Sequence, residues 1–302
     1  MNFHFFRMDI NKLLNNRRLL QATIGVSKKE FDALLVIFTK TLIETAKKKK
    51  RKRDIGGGRR GNIKEPHQKL FYILFYLKTH PTFDVAAYIF GSSKTRTQEW
   101  TRDMLPILEK TLGRTFVLPK RKINGPEEFL EAFPEVKEVL IDGMERPTIR
   151  SKKKKTQNKH YSGKKKRHTR KGILVTDTKK RILALTKMKH GKVHDKKLTD
   201  KSIIVHRIPK NIGILGDTGF QGIAKQHPNV LLPKKKPKGG ELTQEEKEMN
   251  RLISSIRVRV EHAIGGIKRF RAVADIFRHK KGQDDSITAV CAGLWNFHLL
   301  MN

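Results

Sequence analysis

The chain has 302 residues, 37% of them hydrophobic, which is enough for one large domain or two ordinary ones. Its 67 Lys and Arg against 29 Asp and Glu give a formal charge of +38, and the mean hydropathy is −0.58. That balance points to a polyanionic partner, nucleic acid first. A single cysteine, Cys291, excludes an internal disulfide and argues against a thiolate zinc site, and no apolar run is long enough to span a bilayer. Without a leader pattern or a membrane span, the expected location is the cytoplasm.

Residues 1–46 carry apolar positions compatible with helices, and Ser27 with Glu30 three residues later forms a capping-box pattern. Lys47–Arg53 is an unbroken basic run of seven, followed by Gly56, Gly57 and Gly58 and then Arg59 and Arg60. It reads as a phosphate-seeking loop or a plain linker. Residues 1–60 are therefore expected to be a helical segment with a basic linker.

Pro66 opens a helix that runs to about Thr79, and Pro81 breaks it. Thr82 caps a short helix over Phe83–Phe90, with Val85, Ala86, Ile89 and Phe90 facing inward. Gly91-Ser92-Ser93 forms a turn, and a longer helix follows from about Lys94 to Leu112. This is the grammar of a helix-turn-helix motif, whose second helix enters the major groove by its N-terminal residues. Lys94, Arg96 and Gln98 are the candidate DNA contacts, and residues 61–133 the expected DNA-binding domain.

From Pro134 the pattern changes to short apolar runs. Strands are expected at Val139–Ile141, Ile173–Thr176, Ile182–Leu185, Ile212–Leu215 and Val230–Leu232, with a short helix near His194–Ile204. Thr243 and Glu246 form a second capping box, opening a long helix with an apolar stripe from Met249 to Ile267. A last helix, about Ser286–Leu300, is apolar enough to pack on the sheet. The fold class is α/β, a mixed sheet covered by helices over residues 134–302.

Three acids stand out. Asp142 and Asp217 each follow an apolar run and precede a glycine-containing turn, placing them at carboxyl ends of strands where ligands of open sheets gather. Glu261 lies within the long helix, on a polar stripe with Ser254, Arg257 and Lys268. If folding joins the three, their mutual repulsion calls for divalent oxygen-seeking cations, Mg²⁺ or Mn²⁺. Two such ions support in-line phosphoryl transfer. Read one at a time, an aspartate after a strand is commonly a turn residue, so the residue pattern alone leaves both readings open. Arg257 in turn is spaced to pair with Glu261 along the helix.

The runs Leu-Ile-Asp142-Gly-Met-Glu-Arg-Pro, Tyr161-Ser-Gly-Lys-Lys-Lys-Arg-His, Val193-His-Asp195, Gly216-Asp217-Thr-Gly-Phe-Gln-Gly and Arg257-x-x-x-Glu261 with Lys268 resemble DDE transposases of the bacterial insertion-sequence-five group, relatives of the Harbinger-type enzymes. The resemblance covers about residues 65–300. It implies a ribonuclease-H-like catalytic domain with Asp142, Asp217 and Glu261 as the metal triad. It also implies terminal inverted repeats and target DNA as partners, and at least two protomers acting on two DNA ends. Lys164, Lys165 and Arg167, with Tyr161 and Lys166, are expected along the DNA path. Arg257 and Lys268 are expected to contact phosphates or position Glu261. His194, Asp195 and Glu145 are expected near the site but outside the triad. Ser254 departs from the tyrosine common in the family at that position. A DNA-binding protein without catalysis is the alternative reading.

Overall fold

A computed structural model of the chain describes residues 8–48, 62–279 and 283–302. Most of the basic run Lys47–Arg53 and the following glycines and arginines lie outside the described residues. The chain divides into two compact units, Met1–Leu118 with Lys268–Asp275 and Lys281–Asn302, and Pro119–Ile267 with Ile276–Lys280. No described helix is long and apolar enough to cross a membrane.

The first unit is all helical. It opens with α1 (Ile10–Leu14), α2 (Arg17–Ile24) and α3 (Lys28–Lys47). Ser27 and Glu30 close the expected capping box at the start of α3, satisfying backbone N–H groups that a helix end otherwise leaves free. The next helix, α4 (Pro66–Thr79), is buried continuously from Leu70 to Leu77, as a central helix apolar on every side must be. The hydroxyl of its buried Tyr72 donates to Thr97 O at 2.7 Å.

Beyond α4 the chain forms α5 (Phe83–Phe90), a turn at Gly91 and α6 (Lys94–Arg114), the arrangement the turn signals predict. Gly91 takes the left-handed conformation (φ 61°), which a residue without Cβ adopts without strain. Thr82 and Ser93 cap the two helices with their hydroxyls. One expectation fails: Val85 is exposed, and Ala86, Ala87 and Phe90 make the inward face. The exposed face of α6's first turns holds Lys94, Arg96 and Gln98, with Lys94 paired to Asp84 and Arg96 to Glu99.

The second unit is built on a mixed sheet. Its strands are β1 (Glu138–Pro147), β2 (Tyr161–Ser162), β3 (Arg167–Asp177), β4 (Ile182–Leu185), β5 (Lys189–His190), β6 (Gly213–Leu215) and β7 (Val230–Leu231). They run in the order β2-β3-β1-β6-β7, with β4 and β5 also paired to β3. β1 is antiparallel to β3 and parallel to β6, and β6 is parallel to β7. The five expected strands are all present; β2 and β5, two residues each, are too short to show a period. Helices α7 (Pro126–Ala132), α8 (Lys154–His160), α9 (Asp195–Ser202) and α10 (Gln244–Lys268) complete the unit. Its core joins Val139 and Ile141 of β1, Ile173 and Val175 of β3 and Ile214 of β6 to Phe129, Leu198 and Phe220.

The C-terminal segment returns to the helical unit. α11 (Arg271–Ala274) packs on α4, and α12 (Gln283–Met301) packs on α6 and α3 rather than on the sheet. α12 is buried on several faces, and Gly293 allows a close approach: a Cβ there would meet Leu118 at 2.8 Å and Leu112 at 3.2 Å. Apolar content alone indicates that α12 needs a partner, not which one.

Candidate active site

The register of two parallel strands brings Asp142 and Asp217 together. β1 and β6 pair through Val139↔Ile214 and Leu140↔Leu215, and each aspartate is the second residue beyond that last pair. Parallel neighbours lie about 4.8 Å apart, so residues at equal offsets emerge side by side. Asp142 does not end its strand, as the Asp-Gly sequence suggests. β1 continues for five more residues, with Asp142 opposite Leu174 of β3 and Gly143 opposite Ile173. The pairing to β6 stops where β6 ends at Leu215, while the pairing to β3 continues to Pro147.

Each carboxylate is fixed by one backbone N–H. Gly143 N donates to Asp142 Oδ1 at 2.6 Å, and Gly219 N donates to Asp217 Oδ1 at 2.7 Å. Asp177, at the end of β3, shows what a turn aspartate does instead. Its Oδ1 accepts from both Lys179 N and Arg181 N, and its Oδ2 takes the Arg181 side chain.

Arg257 of α10 faces the pair. Its Nη2 lies 3.8 Å from Asp142 Oδ2 and 3.8 Å from Asp217 Oδ2, with all three side chains less than one-fifth exposed. The sequence spacing suggested that Arg257 pairs along the helix with Glu261; the guanidinium instead spans the two strand-borne acids. Burial lifts the Asp142 carboxyl to a pKa of about 6. The charges of Asp217 and Asp195 add to the rise, while the Gly143 N–H and Arg257 oppose it.

Asp195, the first residue of α9, is the third carboxylate of this cluster. A Cβ added at Gly143 would stand 2.4 Å from Asp195 Oδ1, and one at Gly219 would stand 3.3 Å from Asp195 Oδ2. The two glycines therefore leave the space that Asp195 fills. Lys171 of β3 pairs with Asp195 at 3.1 Å and with Glu145 at 3.2 Å. Burial alone would lower the Lys171 ammonium, but Asp195 and Glu145 more than offset it and hold it above its usual range. Burial likewise pushes Glu145 up, yet hydrogen bonds from Thr169 and Ser162 and the Lys171 charge keep it below the normal value. Beside this network lies a cavity of about 510 Å³, lined among others by Glu145, Tyr161, Lys164, Lys171, His194 and Asp195.

Glu261 sits one turn beyond Arg257 on α10 and is exposed. Among the described residues, no group of three His, Cys, Asp or Glu side chains is arranged to hold a metal ion. The donors therefore fit in part. Asp142 and Asp217 converge on one cationic nitrogen, which is what two ligands sharing one divalent cation require. The three-carboxylate, two-ion set is not assembled. Lys164 and Lys165 occupy the exposed turn between β2 and β3, Arg167 is the exposed first residue of β3, and Lys268 is the half-buried last residue of α10. Sequence reasoning placed Asp195 near the site but outside the triad, and overlooked Lys171, which is hidden in a stretch, Arg150–Lys171, holding 12 basic residues and no acid.

Residues 141–296, just over half of the chain, match the profile of the DDE superfamily endonuclease. The chain belongs to the DDE superfamily of endonucleases. Residues 63–114 match the helix-turn-helix of DDE superfamily endonuclease, so the superfamily's DNA-binding helices are α4, α5 and α6 here. The chain is also similar to a protein of Microchaete diplosiphon called a probable transposase for insertion sequence element IS702. The two are 28% identical over 277 residues, which is 92% of this chain and 93% of that one. No solved structure matches. In this superfamily member, the matched catalytic segment begins one residue before Asp142 and includes Asp195, Asp217, Arg257 and Glu261.

Proposed function

We propose that this endonuclease is an insertion-sequence transposase of the insertion-sequence-five and Harbinger-like type. In this reading α6 reads terminal inverted repeats, and the sheet unit, of ribonuclease-H-like kind, cleaves and joins DNA strands. The observation that carries the reading is the convergence of Asp142 and Asp217 on one cationic point, each two residues past the last pair of the parallel β1–β6 pairing. Similarity over nearly the full length to the probable transposase supports the substrate class.

Asp142 and Asp217 would hold Mg²⁺ or Mn²⁺, which when bound supplies Lewis-acid activation of water or of a DNA 3′-hydroxyl against a phosphodiester. Glu261 is proposed as the third carboxylate, and a two-ion arrangement needs it, or Asp195, to join the pair. The chain's own part is positional. The N–H groups of Gly143 and Gly219 fix one oxygen of each aspartate and leave the other aimed at Arg257. Lys164 and Lys165 on the β2–β3 turn and Arg167 at the start of β3, together with Arg257 and Lys268, are the proposed phosphate contacts. Two protomers on two element ends form the proposed assembly.

The test is nicking of duplexes bearing the ends of the element that encodes the protein, with Mg²⁺ or Mn²⁺. Asp142→Asn and Asp217→Asn are expected to lose nicking while keeping DNA binding; variants that cut like the wild type overturn the reading. The exposed position of Glu261 favours a second reading, a DNA-binding protein that does not cut. Wild-type protein that binds these ends but never nicks them with either ion supports that one.

A further inference from the structure

Resting on the reading above, we propose that the cavity beside the acid cluster seats one nucleotide turned out of the duplex next to the phosphodiester that is cut. The cavity, of about 510 Å³, lies wholly in the sheet unit and is lined by Lys171 and Asp195 of the acid network. Asp195 in turn fills the space at Gly143 and Gly219, whose N–H groups hold Asp142 and Asp217. A phosphodiester lying at the two aspartates therefore brings its adjoining nucleotide within reach of this cavity.

The size suits a single nucleotide. Cavities of roughly 300–1,000 Å³ hold one small molecule. A base still stacked and paired inside a duplex cannot enter one, so it has to swing out. The charge suits a base rather than a phosphate. Glu145 and Asp195 both line the cavity, and Lys171 is already committed to them, at 3.2 and 3.1 Å. A phosphate placed among them would face two carboxylates, whereas a neutral ring with N–H groups meets acceptors. The ring of Tyr161, 42% exposed, lines the cavity too and supplies a stacking surface. Its edge-on contact with His168, 5.7 Å between ring centres, holds that ring in place. Asn158 adds a side-chain amide that both donates and accepts, as the edge of a base does. The exposed Lys164 and Lys192 take the phosphates on either side.

The walls are tied together in the chain by itself. Lys192 N donates to Lys159 O at 3.2 Å, and His190 Nδ1 stands 3.0 Å from His160 Nε2, which joins the end of α8 to β5. Gly191 N donates to Thr169 O at 3.0 Å, and a Cβ at Gly191 would stand 1.9 Å from Thr169 Oγ1, so this approach to β3 needs a residue without a side chain. A pocket already in shape loses little freedom on filling, which leaves its contacts to offset the unpairing of one base.

The experiment measures equilibrium binding of the full chain, without divalent cations, to duplexes bearing the element's ends. A mismatch is placed in turn at each base pair around the junction of element and flanking DNA and, as a control, about one helical turn away. A mismatch at the seated position removes most of the cost of turning the base out, so binding should tighten at least about ten-fold there and nowhere else. Equal affinity for every duplex, or the same gain from the distant mismatch, overturns the pocket. Tyr161→Ala, at an exposed position, should keep the thermal unfolding midpoint, abolish the gain and slow single-turnover nicking at saturating protein at least about ten-fold. Tyr161→Trp should restore both. A Tyr161→Ala protein that keeps the whole gain overturns the stacking role. The two readings separate cleanly. Wild-type protein that shows the localised gain yet never nicks with Mg²⁺ or Mn²⁺ removes the catalytic reading and keeps the pocket, and nicking without a localised gain removes the pocket alone.

Discussion

The guanidinium of Arg257 stands 3.8 Å from the Asp142 carboxylate and equally far from Asp217, so a side chain of α10 occupies the point where the two acids meet. A bound divalent cation and this guanidinium compete for the same oxygens. Arg257→Gln is therefore expected to destabilise the metal-free protein by on the order of 1–2 kcal/mol, since it leaves two partly buried acids facing one another. It is also expected to increase the rise in thermal midpoint that Mn²⁺ produces. Unfolding curves of both proteins, with and without Mn²⁺, check this; an equal or smaller Mn²⁺ effect in the variant refutes the competition.

Asp142 gives a pH dependence of definite sign. A carboxyl raised to about 6 in the folded chain, from an ordinary 3.8, binds a proton more readily when folded. The cost of ionising it begins as pH rises above the unfolded value and is complete above about 6. Asp142→Asn removes that cost and should stabilise the metal-free protein at pH 8 by up to about 3 kcal/mol, with no such gain at pH 3. Denaturant unfolding at the two pH values reads the difference, and a gain of equal size at both contradicts it.

Lys171 holds two acids that are themselves largely buried. Lys171→Met leaves Glu145 and Asp195 without their cation and is expected to cost about 3–5 kcal/mol. Adding Glu145→Gln should restore part of it, because one of the two orphaned charges is then gone. Urea midpoints of the single and double variants measure the recovery. A double variant no more stable than the single one removes Lys171 from this role.

Gly143 makes room for Asp195. A methyl group there would stand 2.4 Å from Asp195 Oδ1, inside any permitted contact. Gly143→Ala should displace the Asp195 carboxylate and lower single-turnover nicking by at least about ten-fold, the scale on which small misplacements of catalytic groups act. Gly163→Ala, where an added Cβ meets nothing within 4 Å, is the matched control and should nick at the wild-type rate.

Local signals were the readable ones. Ser27 with Glu30, Thr243 with Glu246, Pro66 and Gly91 mark helix ends by chemistry confined to a few residues, and the helices begin and end where those marks stand. Asp142 and Asp217 were visible as acids after apolar runs, but their meeting depends on the β1–β6 register, which neither segment encodes alone. The extension of β1 past Gly143 depends on β3, some thirty residues on. The direction of Arg257 depends on how α10 is rotated about its axis, and polar spacing along a helix leaves that angle open. Lys171 differs from its basic neighbours only in being buried, a property of the folded sheet.

The return of α11 and α12 to the helical unit makes the final thirty-odd residues part of what the first hundred need in order to fold. A gene copy interrupted after α10 would therefore yield no free-standing DNA-reading fragment, because α6 and α3 would expose the surface that α12 covers. A shortened protein of that kind should be cleared rather than linger as an inhibitor on DNA, which ties the ability to hold DNA to an intact reading frame.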